Sequence, residues 1–404
     1  MSNLPVDVPR ADVPHVFLQS GHDRRIAEGH PWAYSNEIRM DASAKALAPG
    51  TIVVLHRTDG KPLGVGSFNP HTLIAFRLFN RNAYRPIDEA FLQARLARAL
   101  ALRERLFGQP FYRLVHAEAD GLPGLICDRF GDVLVLQLNT AGMQALAQPL
   151  LSALEHLLAP PTVVLRNDSA ARAIEGLVAE VLVAKGKAEE PVELQEGPLK
   201  FFADVCAGQK TGWFYDQRDS RRFVARLAAG GTMLDVYCHT GGFALAAAQE
   251  GATQVDGVDS SDAALALAHR AALVNGLAAR VQFHRADVFE ELQRLAVGSR
   301  RWRTVVADPP AFVKSRKDLG SGLRGYRKLT RLAASVVEPG GFLFVASCSH
   351  NVEAAAFRSE VVRGIAAAGR SGRILRDAGA AADHPIHTHL PESAYLKSLT
   401  LQLD

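Results

Sequence analysis

Carboxylates recur at regular intervals in the second half of this sequence, each at or just after the end of a short apolar run. They are Asp235, Asp259, Asp287 and Asp308. In an open parallel sheet the ligand binds beyond the carboxyl ends of the strands, so these positions are informative. Asp259 ends the second run, where an acidic residue accepts both ribose hydroxyls in dinucleotide-binding folds. One such aspartate is usually only a helix N-cap, but four in register indicate a ligand site.

A glycine turn, CHTGGFALAAA at residues 238–248, follows the first of these runs. Gly241 and Gly242 let the backbone approach a ligand without a clash at Cβ. A double glycine is weak evidence by itself, because many strand-to-helix turns contain one. A nucleotide-dependent oxidoreductase would need GxGxxG around its phosphates, and this chain has only HTGGF. The looser turn suits a ligand without phosphate groups.

The four cysteines lie far apart, with no CxxC pair. They are Cys127, Cys206, Cys238 and Cys348. This spacing argues against a disulfide framework and a structural zinc site. Free cysteines are usually inert core residues, and we keep that interpretation for the first three. Cys348, in SCSH, directly follows the fifth apolar run, at the same edge of the predicted sheet as the carboxylates, and is the candidate nucleophile.

Strands and helices alternate from residue 192 onward, which predicts a mostly parallel, seven-stranded sheet with helices on both faces. The five parallel candidates are residues 232–237, 254–259, 281–284, 304–308 and 341–347. The tail segments GRILRDA and YLKSLTLQL are expected to pair as an antiparallel hairpin at the edge. This α/β domain is predicted to span residues 191–404.

The preceding part of the chain predicts two smaller domains, because 404 residues exceed what one core usually supports. Residues 14–83 show period-two apolar runs separated by DG, PG and NP turns, which predict a small β-rich domain. Residues 84–190 combine a helix at 87–107 with further strands and a second helix at 144–157. We interpret this α+β segment as a bridging domain without catalytic residues.

Positive charge is concentrated rather than large, since the net charge is only +4. Residues 314–331 hold seven basic residues and one acidic residue, and Arg77, Arg81 and Arg85 form a shorter stretch. Either can be an ordinary solvated surface. No segment approaches the roughly 20 apolar residues of a membrane span, and the first ten residues lack the pattern of a secretion signal. We therefore expect a cytoplasmic protein without membrane contact. HPIHTH at 384–389 lacks acidic or cysteine partners at ligand spacing, so no metal is expected.

Several longer motifs carry a family resemblance. They are FFADVCAGQKTGWFYDQRDSRR at 201–222, DVYCHTGGF, VVADPPAF and ASCSH, with RNDSAAR and ADHP outside the catalytic segments. Together they resemble the bacterial 23S rRNA cytosine-5 methyltransferases that carry an N-terminal PUA domain, over essentially the whole chain. GHPWAYSNEI, PGTIVVL and GVGSFNP give residues 14–83 their PUA-like character. The resemblance implies a class I, Rossmann-like methyltransferase domain preceded by an RNA-binding PUA-like domain.

This resemblance also implies roles for individual residues. S-adenosylmethionine is the implied cofactor, with Asp287 bonding its adenine amino group. The residues implied to wall the cofactor site are Lys210, Thr211, Phe214, Gln217 and Arg218. Phe214 would pack on the adenosine or methionine portion while the polar side chains bond the charged end. The alternative for this segment is an ordinary surface strand and helix start.

Carbon 5 of cytosine is a poor nucleophile, so its methylation usually proceeds through a thiolate that adds to carbon 6. Cys348 is expected to supply that thiolate. Cytosine-5 enzymes of another branch have a second cysteine in the loop that corresponds to DPPAF, residues 308–312. This chain has none, which leaves Asp308 as our choice of proton acceptor. Phe312 is expected to stack on a flipped base.

Two other interpretations stay open beside the oxidoreductase. DPP followed by an aromatic residue also resembles enzymes that methylate guanine N7 or an exocyclic amino group, which need no nucleophilic cysteine. A non-catalytic RNA-binding or assembly factor would retain the fold for structural reasons. The resemblance implies 23S rRNA or a large-subunit precursor as the RNA partner, and a homodimer. The basic segment 314–331 directly follows the DPPAF loop, which favours RNA contact for it.

Overall fold

A computed structural model describes residues 13–188 and 191–404 of the chain. The described residues form two compact units. The first holds residues 13–188, 205–212 and 383–393, and the second holds 191–204, 213–382 and 394–404. The first ten residues, and the predicted domain boundary after residue 190, fall outside the described residues. The division into three domains therefore stays a prediction.

The first unit begins with a five-stranded sheet of order β1-β3-β4-β5-β2. Its strands are β1 His15–Phe17, β2 Trp32–Tyr34, β3 Thr51–His56, β4 Pro62–Phe68 and β5 Ile74–Asn80, with short helices α1 Arg24–Glu28 and α2 Ala42–Lys45. Their core is apolar, including Ile38, Leu55 and Phe76. A Cβ on Gly66 would lie 2.1 Å from the Arg77 carbonyl oxygen, so only glycine allows this close pairing of β4 and β5.

A second five-stranded sheet of the first unit has the order β10-β9-β8-β7-β6. Its strands are β6 Phe111–His116, β7 Leu125–Phe130, β8 Val133–Leu138, β9 Thr162–Asn167 and β10 Glu180–Lys185. The helices are α3 Glu89–Leu106, α4 Ala141–Ala145, α5 Ala147–Leu158 and α6 Ala170–Ile174. The Asp88 carboxylate accepts a hydrogen bond from Phe91 N at 3.0 Å and starts α3 close to the predicted residue 87. Phe79 of β5 packs in the same core as Leu92 and Leu114. The core of the second sheet therefore includes a residue from before the predicted domain boundary at residues 83 and 84.

A fully buried arginine stabilises the first unit. Arg103 of α3 donates from both Nη atoms to the Asp120 carboxylate, at 2.6 and 2.8 Å. Its remaining N–H groups bond the carbonyl oxygens of Arg113 and Asp383, each at 2.9 Å. This network joins residues 383–393 to α3 and β6. Each of the three guanidinium nitrogens thus donates at least one hydrogen bond, and such pairing is what allows a buried cation to be tolerated.

The second unit contains the hairpin β11 Val192–Glu196 and β12 Leu199–Ala203, followed by a seven-stranded sheet. The sheet strands are β13 Thr232–Val236, β14 Gln254–Asp259, β15 Val281–Arg285, β16 Trp302–Ala307, β17 Val337–Ser347, β18 Gly372–Ala378 and β19 Lys397–Leu403. The order is β15-β14-β13-β16-β17-β19-β18, parallel from β15 to β17 and antiparallel for the last two pairs. The predicted sheet and its antiparallel tail are confirmed.

Six helices accompany this sheet in the described part of the second unit. They are α7 Arg218–Ala228, α8 Gly242–Gln249, α9 Asp262–Val274, α10 Val288–Val297, α11 Leu319–Ser335 and α12 Ala354–Ala367. Strands β13 and β16 are buried along nearly their whole length, as expected for central parallel strands covered on both faces. The parallel order brings the carboxyl ends of β13, β14, β16 and β17 to one edge of the sheet.

We expect Arg103→Met to lower the free energy of unfolding by about 3–5 kcal/mol, because it leaves the Asp120 carboxylate buried without its cation. Arg105→Met on the exposed side of the same helix is the matched control. Urea unfolding of both variants measures the difference. Equal stability of the two variants would show that the buried ion pair is not what holds this region.

Candidate active site

The loop between β13 and α8 has an unusual backbone. Tyr237, His239 and Gly241 have φ values of +64°, +49° and +80°, in the left-handed region that non-glycine residues rarely adopt. The Asp259 carboxylate accepts a hydrogen bond from His239 N at 2.9 Å and so holds the loop in this form. Strained backbone of this kind concentrates at ligand and active sites. Sequence reasoning missed Tyr237 and His239, since neither residue type signals a positive φ.

Glycine is required at position 241 and a side chain at 242 would be tightly packed, in both cases because of neighbouring protein atoms rather than a ligand. A Cβ on Gly241 would lie 2.9 Å from Phe283 Cζ, and the residue has a positive φ. A Cβ on Gly242 would lie 3.1 Å from Arg221 Cδ. Both glycines thus serve the turn and the packing of α8 against its neighbours. Close approach of a ligand to these two residues stays a prediction.

Asp259 lies at the end of β14, as predicted, and its carboxylate is fixed by two backbone donors. Oδ1 accepts from Ser261 N and Oδ2 from His239 N, both at 2.9 Å. These bonds orient the carboxylate, while each oxygen retains a second lone pair that can accept a hydroxyl proton. The arrangement fits a ligand with vicinal ribose hydroxyls.

Asp235 lies deeper in the same edge. Its side chain is buried, Oδ2 accepts from Ala244 N at 3.0 Å, and Oδ1 has no hydrogen-bond partner among the described residues. Burial raises the pKa of the Asp235 carboxyl, and the negative charges of Asp308 and Asp259 raise it further. Three carboxylates that repel one another fit a positively charged ligand. S-adenosylmethionine, with a sulfonium and an amino group, meets that requirement.

Two residues of the segment before α7 also reach this edge. Gln217 donates from Nε2 to Asp308 Oδ2 at 2.9 Å, while its buried Oε1 has no partner among the described residues. The Phe214 ring lies edge-on to the His239 ring, with centroids 5.1 Å apart. The structure therefore brings together Phe214, Gln217 and Asp308, as expected if they wall one ligand site.

Other predicted cofactor residues have different surroundings. Asp287 is exposed and caps α10, accepting from Glu290 N at 3.0 Å. Thr211 is buried in the first unit and donates its hydroxyl to Asp128 Oδ2 at 2.5 Å, so that hydroxyl already has a structural partner. Lys210 also belongs to the first unit, and the Arg218 guanidinium lies 5.3 Å from the Tyr215 ring centroid. Cofactor contacts of these four residues stay predictions.

The Ser-Cys-Ser sequence after β17 has its two hydroxyls turned inward. Ser347 Oγ donates to the Tyr326 hydroxyl at 2.8 Å, and Ser349 Oγ lies 2.8 Å from the same oxygen. Both serines are buried, whereas Cys348 between them is partly exposed. Ser349 Oγ also accepts from Val313 N at 3.3 Å, which ties this turn to the DPPAF loop. The network fixes the backbone on both sides of the thiol.

A buried lysine lies beside this turn. Lys397 of β19 pairs with Ser347 in the register of the sheet, and its Nζ donates to the carbonyl oxygens of Ser349 and Val352 at 2.7 and 2.8 Å. Burial lowers the pKa of Lys397, and the negative charge of a Cys348 thiolate opposes that shift. The other titratable groups around the turn are Tyr326, His350 stacked on Tyr395, and Asp216, which accepts from the Tyr395 hydroxyl at 2.5 Å.

The remaining cysteines differ from Cys348. Cys127 and Cys238 are buried, and burial raises the pKa of both thiols, with nearby aspartates adding to the effect. Such thiols are poor nucleophiles. Cys206 is partly exposed but belongs to the first unit. In the second unit Cys348 is therefore the partly exposed thiol at the carboxyl edge of the sheet.

The DPPAF loop and the basic segment after it are partly structural. The Phe312 ring packs on the ring of Tyr326 in α11, with centroids 4.8 Å apart, so it anchors the DPPAF loop to that helix. Arg327 is paired with Glu360 at 2.6 Å. The exposed basic residues of the segment are Lys314, Arg316, Lys317, Arg324, Lys328 and Arg331. Base stacking by Phe312 stays a prediction.

Comparison with known proteins agrees with this fold. Residues 130–368 match the S-adenosylmethionine-dependent methyltransferase family, and residues 16–81 match a PUA-like domain. SMU.776, described as a methyltransferase complexed with SAH, has a TM-score of 0.83 at 19% identity, covering 96% of this chain and 100% of that one. A Streptococcus mutans protein described as a SAM-dependent methyltransferase has a TM-score of 0.81, also at 19% identity, with the same coverage. Fold and site define a class I, S-adenosylmethionine-dependent methyltransferase with an N-terminal PUA-like domain.

Sequence relatives narrow this class. Proteins named ribosomal RNA large subunit methyltransferase I are 35% identical in Shewanella denitrificans and 36% in Aeromonas hydrophila. Each match covers 394 residues, which is 96% of this chain and 99% or 98% of the relative. The chain belongs to the ribosomal RNA large subunit methyltransferase I family. This membership, like the missing GxGxxG, disfavours the oxidoreductase.

Within residues 13–188 and 191–404, no helix has the length and apolar character needed to cross a membrane. The same residues contain no cluster of three or more histidine, cysteine or acidic side chains arranged to hold a metal ion.

We expect Asp259→Ala to weaken binding of S-adenosylhomocysteine by about 1–3 kcal/mol, because the ribose hydroxyls lose their acceptor in a partly buried site. Calorimetric titration measures the change. Asp262→Ala, which removes an exposed carboxylate three residues away, is the control and should bind normally. Unchanged affinity in Asp259→Ala would remove this residue from the cofactor site.

Proposed function

We propose that this protein transfers a methyl group from S-adenosylmethionine to carbon 5 of a cytosine in 23S ribosomal RNA, with Cys348 as the covalent nucleophile. The observation that carries the proposal is the geometry of residues 347–349. Two buried serine hydroxyls bond Tyr326 while the intervening thiol stays partly exposed beside the Lys397 ammonium. The relatives' name supports ribosomal RNA as the substrate, and action on ribosomal RNA supports a cytoplasmic location.

In the proposed reaction, the Cys348 thiolate forms a bond to carbon 6 of cytosine, and the electrons of the 5,6 double bond move to carbon 5. The bound cofactor supplies the methyl group that carbon 5 takes. A base then removes the carbon 5 proton, the double bond re-forms, and the sulfur–carbon 6 bond breaks. Atoms balance, because one methyl group replaces one proton.

The side chains around Cys348 suit this sequence of steps. The Lys397 ammonium, held by two carbonyl oxygens, favours the thiolate electrostatically. Asp308, which accepts a hydrogen bond from Gln217, remains our choice of proton acceptor. The hydrogen bond from Gln217 orients the Asp308 carboxylate at the carboxyl edge of the sheet.

RNA recognition is assigned to two surfaces. The PUA-like match at residues 16–81 supports RNA binding by the first sheet. The exposed cations of residues 314–331 support phosphate contact next to the DPPAF loop. A homodimer stays a prediction. The alternative chemistry, methylation of guanine N7 or an exocyclic amino group, would use the DPPAF loop without Cys348.

Cys348→Ala should abolish methyl transfer to rRNA while cofactor affinity and thermal stability stay close to wild type, because the thiol acts only in the chemical step. Methyl incorporation from labelled cofactor measures the loss. Cys206→Ala, which removes the other partly exposed thiol, is the matched control and should stay active. Near-normal methyl transfer by Cys348→Ala would contradict the covalent mechanism and favour methylation of guanine N7 or an exocyclic amino group.

RNA that carries 5-fluorocytosine at the target gives a second readout of the same step. Fluorine cannot leave as a proton does, so the sulfur–carbon 6 bond should persist as a denaturation-resistant protein–RNA band. The band should form with wild type and Cys206→Ala and be absent from Cys348→Ala. Absence of the band from wild type would exclude the covalent mechanism.

Lys397→Met should move the alkylation profile of Cys348 with iodoacetamide to higher pH, because the thiolate loses a neighbouring positive charge. Lys397→Arg should restore much of the wild-type profile, since it keeps the charge. Peptide mapping by mass spectrometry separates Cys348 from Cys206. If the lysine only supported the turn, the maximum rate would change while the pH midpoint stayed in place.

A further inference from the structure

Two adjoining concave surfaces lie along α3 in the first unit. One has a volume of about 500 Å³ and is lined by Arg81, Arg95 and Arg98, among others. Its neighbour has a volume of about 340 Å³ and shares Asn80, Arg95 and Arg98 while adding Arg85. We call the two together the α3 groove. We propose that the α3 groove binds the phosphodiester backbone of the RNA substrate.

Charge balance is the first argument. Two carboxylates, Glu118 and Asp120, line the larger surface. Both are already ion-paired: Arg103 pairs with Asp120 at 2.6 Å, and Arg77 pairs with Glu118 at 2.9 Å and also with Glu175 at 3.3 Å. The structure records no ion pair for the groove arginines in the described residues. The groove therefore carries a net positive charge that a solvated face with interspersed carboxylates would lack.

Two of the groove arginines, Arg95 and Arg81, are also held in place before any ligand binds. Arg95 Nη2 donates to the Phe79 carbonyl oxygen at 3.1 Å, and its guanidinium lies 5.1 Å from the Phe91 ring centroid. Arg81 donates to the carbonyl oxygens of Ile26 and Ala27 at 3.1 and 3.3 Å. Held side chains lose little conformational freedom on binding, which favours affinity.

Repulsion within the groove points to an anionic ligand. Arg95 and Arg98 lie three residues apart on α3 and so face the same side of the helix. Burial lowers the pKa of Arg95, and the neighbouring charge of Arg98 adds to that shift. Two like charges held together without a carboxylate are unfavourable in the free protein. A phosphate placed between them would relieve this repulsion and bond both guanidinium groups.

The shape favours a polymer over a single small anion. The two surfaces share Arg95 and Arg98 and continue to Arg85, so successive phosphates can be contacted along one path. Tyr84, which precedes Arg85, is 40% exposed and is available for stacking with an unpaired base. This assignment rests on the proposed function only in taking RNA as the polyanion. It is distinct from residues 314–331, which belong to the second unit.

The test compares Arg95→Gln/Arg98→Gln and the single variant Arg98→Glu with Arg105→Gln. Arg98 is exposed, so its variant should not disturb folding, and Arg105 is an exposed arginine of the same helix that lines neither surface. Fluorescence anisotropy with labelled oligouridylate of about 16 nucleotides, measured over a range of salt concentration, gives affinity and salt slope. Each lost phosphate contact should reduce that slope by about 0.7.

We expect the double variant and Arg98→Glu to bind the oligonucleotide at least about tenfold more weakly, with a smaller salt slope, while Arg105→Gln behaves like wild type. With rRNA as substrate, KM should rise while kcat and S-adenosylhomocysteine affinity stay unchanged. Wild-type affinity and slope in both groove variants would overturn the proposal. So would an equal loss in Arg105→Gln, which would indicate general charge attraction.

Two further measurements distinguish RNA binding by the α3 groove from a small-anion site and from the proposed cysteine mechanism. Titration with inorganic phosphate and with heparin tests whether a free anion or any polyanion competes as well as RNA; full competition by phosphate alone would make this a small-anion site and overturn the assignment. The 5-fluorocytosine adduct should still form in the groove variants at saturating RNA. Loss of the adduct from wild type would contradict the cysteine mechanism while leaving the binding result intact.

Discussion

The parallel order of β14, β13, β16 and β17 is the constraint on which the rest of the site depends. It brings the ends of four strands to one edge, and with them three carboxylates and a thiol. Burial raises the pKa of Asp235, and repulsion from the Asp308 and Asp259 carboxylates raises it further. Backbone donors at His239 and Ser261 hold Asp259 against that repulsion. A site built this way is electrostatically incomplete without a cation, and the cofactor of this family carries one.

Around Cys348 the same edge of the sheet carries a positive charge instead of negative ones. Ser347 and Ser349 turn inward to one tyrosine hydroxyl, so the backbone between them is fixed from both sides. Lys397 arrives from β19, which runs antiparallel to β17, and places its charge at the same turn. The carboxylates that would bind the positively charged cofactor follow β13, β14 and β16. The Lys397 ammonium that would favour the Cys348 thiolate lies on β19 of the same sheet. This separation of charge is what the proposed transfer between them requires.

The sequence predicted the strands of this sheet well, because buried parallel strands are short apolar runs with turn signals at their ends. Asp259 and Cys348 could be proposed from the sequence because each lies at a strand end. Lys397 could not, since its partner is set by the pairing of β19 with β17, some fifty residues away along the chain. Arg77 shows the reverse: it stands in a basic stretch but pairs with Glu118 and Glu175 inside the first unit. Gly241 was identified correctly as a turn residue, but Phe283, whose ring leaves too little room for a side chain there, is distant in sequence.

The central claim is that the methyl group enters at carbon 5 of cytosine and displaces the proton there. The most direct measurement uses rRNA transcribed with cytosine tritiated at carbon 5, incubated with the purified protein and unlabelled S-adenosylmethionine. The account predicts release of tritium to water in proportion to methyl transfer, with one tritium lost for each methyl group gained. Methyl transfer without tritium release would contradict it, because methylation at guanine N7 or an exocyclic amino group leaves that position untouched.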